Sequence, residues 1–158
     1  NHGFLLSRLN DKVERARQAG HPVSLIMLDI DYFKAYNERF GHVMGDEVLR
    51  FIVQAIQAHV KPTDIVGRWG GEEFGVVLPE ATTDQAREVA ERIRQTLLHL
   101  PLVNRNLQPV PKPTVSQGIA TLPDHATDAS ELIDLADRTL YEAKALGRDM
   151  VIVAPPRA

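Results

Sequence analysis

A chain of 158 residues that is 44% hydrophobic has the length and apolar content of one compact domain with a continuous core. Its 18 Lys and Arg against 21 Asp and Glu leave a formal net charge of -3, which argues against a general nucleic-acid or anionic-membrane surface, so any phosphate ligand must be met by a local cluster. The absence of cysteine excludes disulfides and thiolate metal sites and suits a reducing compartment, and no apolar run approaches the roughly 20 residues of a membrane-spanning helix.

Phe4, Leu5, Leu9, Val13 and Ala16 recur at helical spacing and stop at Gly20 and Pro22, which predicts an opening amphipathic helix. The continuous apolar run Val23 to Leu28 predicts a buried strand that delivers Asp29 and Asp31 at its end. Tyr32 to Phe40 reads as a helix ending at Gly41, and Asp46 as the opening of a longer one with Val48, Leu49, Ile52, Val53 and Ile56 on one face and Pro62 at its end. Asp64 to Trp69 and Phe74 to Leu78 read as a β-hairpin whose turn, Gly70-Gly71-Glu72-Glu73, carries both acids. A helix over 83–98, a proline-rich connection, a strand over 114–121, a helix over 130–146 and a strand over 150–153 complete the chain. Hairpins mixed with crossover helices predict an α+β fold with a mixed, partly antiparallel central sheet flanked by helices.

Asp29 at a strand end and Glu72-Glu73 in a hairpin turn form a set of hard oxygen ligands if the two strands are neighbours, a set that suits magnesium, while solvated turn acids are the competing reading. The turn glycines permit close backbone approach. Lys34 follows the strand-end acids where N–H groups opening a helix can cradle a triphosphate; a plain surface charge is the alternative for it, as for Lys144 and Arg148. Asn37 and Asp46 flank Gly41-His42 and can accept from the N1–H and amino group of guanine, with helix capping as the competing role, of Asp46 in particular. His42 has no nucleophile beside it and is assigned no chemistry, and Trp69 is read as a half-buried strand aromatic outside the site.

Taken together, Asp29-Ile30-Asp31-Tyr32-Phe33-Lys34, Asn37, Gly41-His42, Gly45-Asp46, Arg68, Gly70-Gly71-Glu72-Glu73-Phe74 and Leu78-Pro79 resemble the GGDEF family of diguanylate cyclases, in its GGEEF variant. Thr114 to Ala120, Ala136-Asp137, Leu140-Tyr141, Ala143-Lys144 and Gly147-Arg148 extend the resemblance over most of the chain. It implies a nucleotide-cyclase or polymerase-palm fold with a ferredoxin-like core, and a single domain over 1–158. It implies metal ligands at Asp29, the Ile30 carbonyl and Glu72, with Glu73 essential beside them as proton acceptor or as ligand to a second ion. Guanine contacts fall on Asn37 and Asp46, and phosphate contacts on Phe33, Lys34, Lys144 and Arg148, with Gly70 and Gly71 also in the substrate site. The implied cofactor is Mg²⁺, with Mn²⁺ possible; the substrate is GTP, the product c-di-GMP, and the working unit a homodimer, since a twofold-symmetric product needs two facing half-sites.

Three departures from the family pattern stand out. The segment usual before the first helix is missing, with Asn1 at its end; Glu38 and Asp149 replace the commoner aspartate and asparagine; and Lys61-Pro62-Thr63-Asp64 stands where the product-inhibitory site carries Arg-x-x-Asp. The last implies weak or absent inhibition through Lys61 and Asp64, because lysine lacks the two-pronged donor fork of arginine. The expected setting is cytoplasmic, within a longer regulatory protein that can be membrane-anchored elsewhere. The competing functions are a catalytically silent GTP- or c-di-GMP-binding module and a cyclase or polymerase acting on other nucleotides; intact Glu72, Glu73 and Lys34 argue against the first, and Asn37 with Asp46 against the second.

Overall fold

The structure is a computed structural model that describes residues 2–157, so Asn1 and Ala158 lie outside it. Helix α1 (His2–Ala19) leads into β1 (Val23–Ile30), α2 (Phe33–Phe40) and α3 (His42–Gln57). The hairpin β2 (Ile65–Arg68) and β3 (Glu73–Pro79) follows, then α4 (Thr83–His99), the short strands β4 (Leu102–Val103) and β5 (Pro109–Val110), β6 (Val115–Leu122), α5 (Ala129–Ala145) and β7 (Val151–Val153).

The central sheet is five-stranded, in the order β2-β3-β1-β6-β7, antiparallel except for the parallel pair β6 and β7. It is thus mixed, as the alternation of hairpins and crossovers predicts. All eight residues of β1 are buried, because the strand is hydrogen-bonded on both edges and covered by helices on both faces. Side chains alternate between the faces. Leu25 and Met27 pack with Leu5, Leu9 and Val13 of α1 and with Leu132, Ala136 and Leu140 of α5, whereas Ile26, Leu28 and Ile30 pack with Val48, Ile52 and Ile56 of α3 and Ala90 and Ile93 of α4. Asp29 shares the parity of Leu25 and Met27 and therefore belongs to the α1/α5 side.

Several boundaries differ from the sequence reading. Helix α3 begins at His42 behind Gly41, whose φ of 89° a side chain would strain, and no side chain caps it. Asp46 therefore lies within α3 and caps nothing. The helix ends at Gln57, well before Pro62. Glu73 is the first residue of β3 rather than part of the turn, and the proline-rich connection forms the small β4–β5 sheet. Trp69 lies beyond β2, half-buried, with its ring 3.7 Å from that of His2.

Helix α5 crosses β6 at Gly118, where a Cβ would stand 2.6 Å from the Ala136 carbonyl oxygen and 2.8 Å from the Thr139 carbonyl carbon. Helix backbone cannot rotate away as a side chain can, so Gly118→Ala is expected to cost about 1–3 kcal/mol. In urea titration the midpoint should fall at unchanged slope.

Candidate functional site

The sheet register decides what Asp29 meets. Asp29 is paired with Glu73 across β1 and β3 and with Ser116 across β1 and β6, and parity puts all these side chains on the α5 side. Beyond Asp29, the Ile30 N–H donates to the Glu72 carbonyl oxygen at 3.2 Å, which draws the hairpin turn against the end of β1. Asp29, Ile30, Glu72 and Glu73 are therefore neighbours.

From the opposite side comes α5. Ala136, Leu140 and Lys144 are four residues apart on one stripe; the first two are buried on the sheet, and Lys144, one turn further, passes its ammonium to Asp29 Oδ2. Asp29 is only 8% exposed, and its Oδ1 is buried without a partner. Burial is the main reason its pKa lies above the usual carboxylate range, outweighing the bond from Lys144, with Asp31 pushing the same way. Glu72 is raised by burial and then by Asp29. Glu73 is raised from 4.5 to about 7, first by burial and then by the negative charges of Asp137, Asp29 and Glu72. One ammonium thus faces a crowd of carboxyl groups, each resisting ionisation, an environment that a further cation would relieve.

No group of three or more His, Cys, Asp or Glu side chains among the described residues converges as a ready metal cage. Magnesium does not need one, because it typically takes one or two carboxylates and fills its octahedron with water and phosphate oxygens. The orphaned Asp29 Oδ1 and the half-buried carboxyls of Glu72 and Glu73 fit that requirement.

Asp31, the other acid of the motif, has its carboxylate committed to other partners. It is 2% exposed and accepts from Thr114 Oγ1 at 2.6 Å, Ser116 Oγ at 2.7 Å and the Asp149 N–H at 3.0 Å. It ties the end of β1 to β6 and to the turn after α5, a role the sequence reading missed. The hydroxyls of Thr114 and Ser116 were the available signal, legible only once β1 and β6 are known to pair. Asp149, in turn, takes Arg94 Nε at 3.0 Å. Asp137 was also missed as a neighbour of Glu73, since the two are 64 positions apart in sequence and meet only through the packing of α5.

Helix α2 opens at Phe33 behind Tyr32, which lies in the left-handed region with φ 54° and supplies no side-chain cap. The first N–H groups of α2, at Phe33 and Lys34, are thus left for another acceptor, with the exposed Lys34 beside them. Arg148 reaches the same place from beyond α5, its guanidinium 4.2 Å from the Tyr32 ring centroid.

Asn37 of α2 presses its amide on Gly45 of α3, where a Cβ would collide with Asn37 Oδ1, and that oxygen is buried without a donor. Asp46, next along α3, is exposed and borders a groove of about 440 Å³ that Leu49, Val53, Arg68 and Phe74 also line. An unpaired buried acceptor and an exposed carboxylate are thus adjacent. The hairpin turn is closed by Trp69 and Gly70 N–H groups on the Glu73 carbonyl at 2.7 and 3.1 Å and latched by Arg68 on the Gly71 carbonyl. Neither Gly70 nor Gly71 has a positive φ, and a Cβ on Gly71 would meet nothing. The turn does not itself require these glycines; their missing side chains leave open space on its outer side.

Lys61 and Asp64 stand apart from this cluster, in a tight turn where Asp64 Oδ2 accepts the Lys61 N–H at 2.7 Å. The carboxylate is thereby committed to its own backbone.

The family model described as diguanylate cyclase, GGDEF domain, matches residues 1–150. The chain is 37% identical over 153 residues to the probable diguanylate cyclase DgcT of Escherichia coli, covering 97% of this chain and 33% of that protein. It spans about a third of the length of the curated relatives it matches. Among solved structures, the GGDEF domain of PA1120 (YfiN or TpbB) from Pseudomonas aeruginosa superposes with a TM-score of 0.92 at 31% identity, over 99% of this chain and 97% of that one. The active GGEEF domain of a diguanylate cyclase from Vibrio cholerae does so with 0.89 at 31% identity, over 99% and 98%. Motifs, fold, and the meeting of Asp29 with Glu72 and Glu73 agree with these matches, and the chain belongs to the GGDEF family of diguanylate cyclase domains.

Proposed function

We propose that this domain condenses two GTP molecules into c-di-GMP with release of pyrophosphate, each half-site holding one GTP and two domains facing one another as a homodimer. The observation that carries this reading is the cross-strand pair of Asp29 and Glu73, with Glu72 bonded to the next peptide and Asp29 Oδ1 left unpaired. Asp29, the Ile30 carbonyl and Glu72 are the proposed holders of Mg²⁺, with Mn²⁺ as substitute. When bound, the ion supplies positive charge against the triphosphate and favours ionisation of the attacking hydroxyl.

Lys34, the first N–H groups of α2, Lys144 and Arg148 grip the triphosphate; Lys144 is already drawn to the acidic cluster by Asp29. Glu73, titrating near 7, is assigned the acceptor of the 3′-hydroxyl proton of the attacking GTP, since a base poised near neutrality matches that task. Asn37 Oδ1 and the Asp46 carboxylate are the proposed acceptors for guanine, and their readiness is the specific ground for preferring GTP over ATP. Product inhibition through Lys61 and Asp64 is proposed to be weak. The lysine offers a point charge in place of an arginine fork, and Asp64 is held by its own turn. The proposed setting is cytoplasmic; no described helix is long and apolar enough to cross a membrane.

The decisive experiment incubates the protein with GTP and magnesium and identifies products by mass. The expected product is c-di-GMP, with Asp29→Asn or Glu72→Gln lowering turnover by about 100-fold or more while the fold survives. GTP binding without turnover by the unmutated protein would leave a silent nucleotide-binding module in its place.

Asp46→Ala is expected to weaken binding of a GTP analogue about tenfold and to narrow the preference over ATP, because buried guanine donors lose their acceptor. Its thermal midpoint should hardly move, since Asp46 caps no helix.

A pH dependence of stability follows from Glu73. Between about pH 4.5 and 7 the folded protein keeps a proton that the unfolded chain releases, so this residue lowers stability as pH rises through that window, with no further loss above it. Without divalent metal, Glu73→Gln should match the native protein near pH 4 and exceed it at pH 8 in chemical unfolding.

A further inference from the structure

Tyr32 is 67% exposed, sits in the left-handed region, and is not part of the hydrophobic core. Its ring nevertheless has a defined partner. The Arg148 guanidinium lies over it at 4.2 Å from the centroid, and Arg148 Nη1 donates to the Tyr32 hydroxyl at 3.2 Å. Arg148 is itself left-handed, at φ 64°, within the turn that follows α5. Two unusual backbone conformations, one entering α2 and one leaving α5, thus aim two side chains at each other. That turn is anchored separately, by the Asp149 N–H on Asp31 and the Asp149 carboxylate on Arg94.

The geometry points to Tyr32 as a positioning residue that holds the Arg148 guanidinium beside the start of α2, ready for the phosphates of the nucleotide. Arginine is a long, flexible side chain, and an arginine left in solvent samples many rotamers. Stacking on an aromatic face fixes the plane of the guanidinium, and the hydroxyl fixes its rotation within that plane, while the remaining N–H groups stay free to meet an anion. The open N–H groups of Phe33 and Lys34 begin immediately after Tyr32, so the residue that orients the guanidinium also borders the helix terminus expected to share the same triphosphate. Being exposed, Tyr32 adds little to the core, and its contribution falls on the bound nucleotide rather than on folding.

The inference rests on the phosphate role given to Arg148 above, and the experiment separates the two. Steady-state kinetics with GTP and magnesium, and calorimetry with a non-hydrolysable GTP analogue, are run on Tyr32→Ala, Tyr32→Leu, Tyr32→Phe, Arg148→Ala and the double variant Tyr32→Ala/Arg148→Ala. Loss of the ring is expected to raise KM and Kd by about three- to tenfold in both Tyr32→Ala and Tyr32→Leu, with kcat within about twofold. Tyr32→Phe, which keeps the stack, should retain most of the affinity, and thermal midpoints should be unchanged throughout. The double variant should bind no more weakly than Arg148→Ala alone, because the ring acts only through the guanidinium. Native affinity in Tyr32→Ala with weakened binding in Arg148→Ala would overturn the positioning role and leave the phosphate site standing. Additive losses in the double variant would overturn it too. Native affinity in Arg148→Ala would remove the phosphate role itself, and the inference with it.

Discussion

Strand β1 is paired on both edges and buried on both faces, and the arrangement of the site depends on that constraint. A one-residue slip against β3 or β6 would carry Leu25 and Met27 out of the α1/α5 layer and Ile26 and Leu28 out of the α3/α4 layer, so the register has no neighbouring alternative. The same register that fits these apolar residues puts Asp29 opposite Glu73. The acids meet because the strand behind them cannot move, so the hydrophobic core fixes the position of the polar site at the strand's end.

The cluster so formed is electrostatically unfavourable by itself. Burial at the end of β1 disfavours the charged forms of Asp29, Glu72 and Glu73, and neighbouring carboxyls add to it, Asp31 at Asp29, Asp29 at Glu72, and Asp137, Asp29 and Glu72 at Glu73, with the Lys144 ammonium opposing them. The raised carboxyl pKa values express that cost, and they are also what gives a proposed cation and a proposed base something to act on. Close by, Asp31 gathers Thr114, Ser116 and the Asp149 peptide into a partly buried hydrogen-bonded network. Two acids separated by one residue thus do opposite work: Asp29 is left partly unpaired, and Asp31 closes the fold around it.

The substrate side is assembled by the two elements that flank the sheet end. Helix α2 starts without a side-chain cap, and the turn after α5 is held from below through Asp31 and Arg94, so a helix terminus and a guanidinium face the same space. The contact between Asn37 and Gly45 brings α2 and α3 together at the proposed base pocket, where only a glycine admits the amide.

The sequence by itself determined the strand ending in acids, the glycine-rich hairpin, the helices and the family, because each is written in local periodicity, turn chemistry or motif order. It also named Asp29, Glu72 and Glu73 as candidates, because the motifs that carry them resemble those of the GGDEF family, whereas an isolated Gly-Gly-Glu-Glu turn reads equally as solvated acids. Only the tertiary structure decided that Asp46 lies inside a helix rather than capping one, since helix α3 starts behind Gly41, a boundary set by backbone conformation. It alone decided that Lys144 reaches Asp29, that Asp137 presses on Glu73, that Asp31 serves the fold, and that Tyr32 carries Arg148. These pairs lie tens of residues apart or more in the chain. Who their partners are is not written locally, because only the register of β1 and the packing of α5 on β6 bring the members of each pair together.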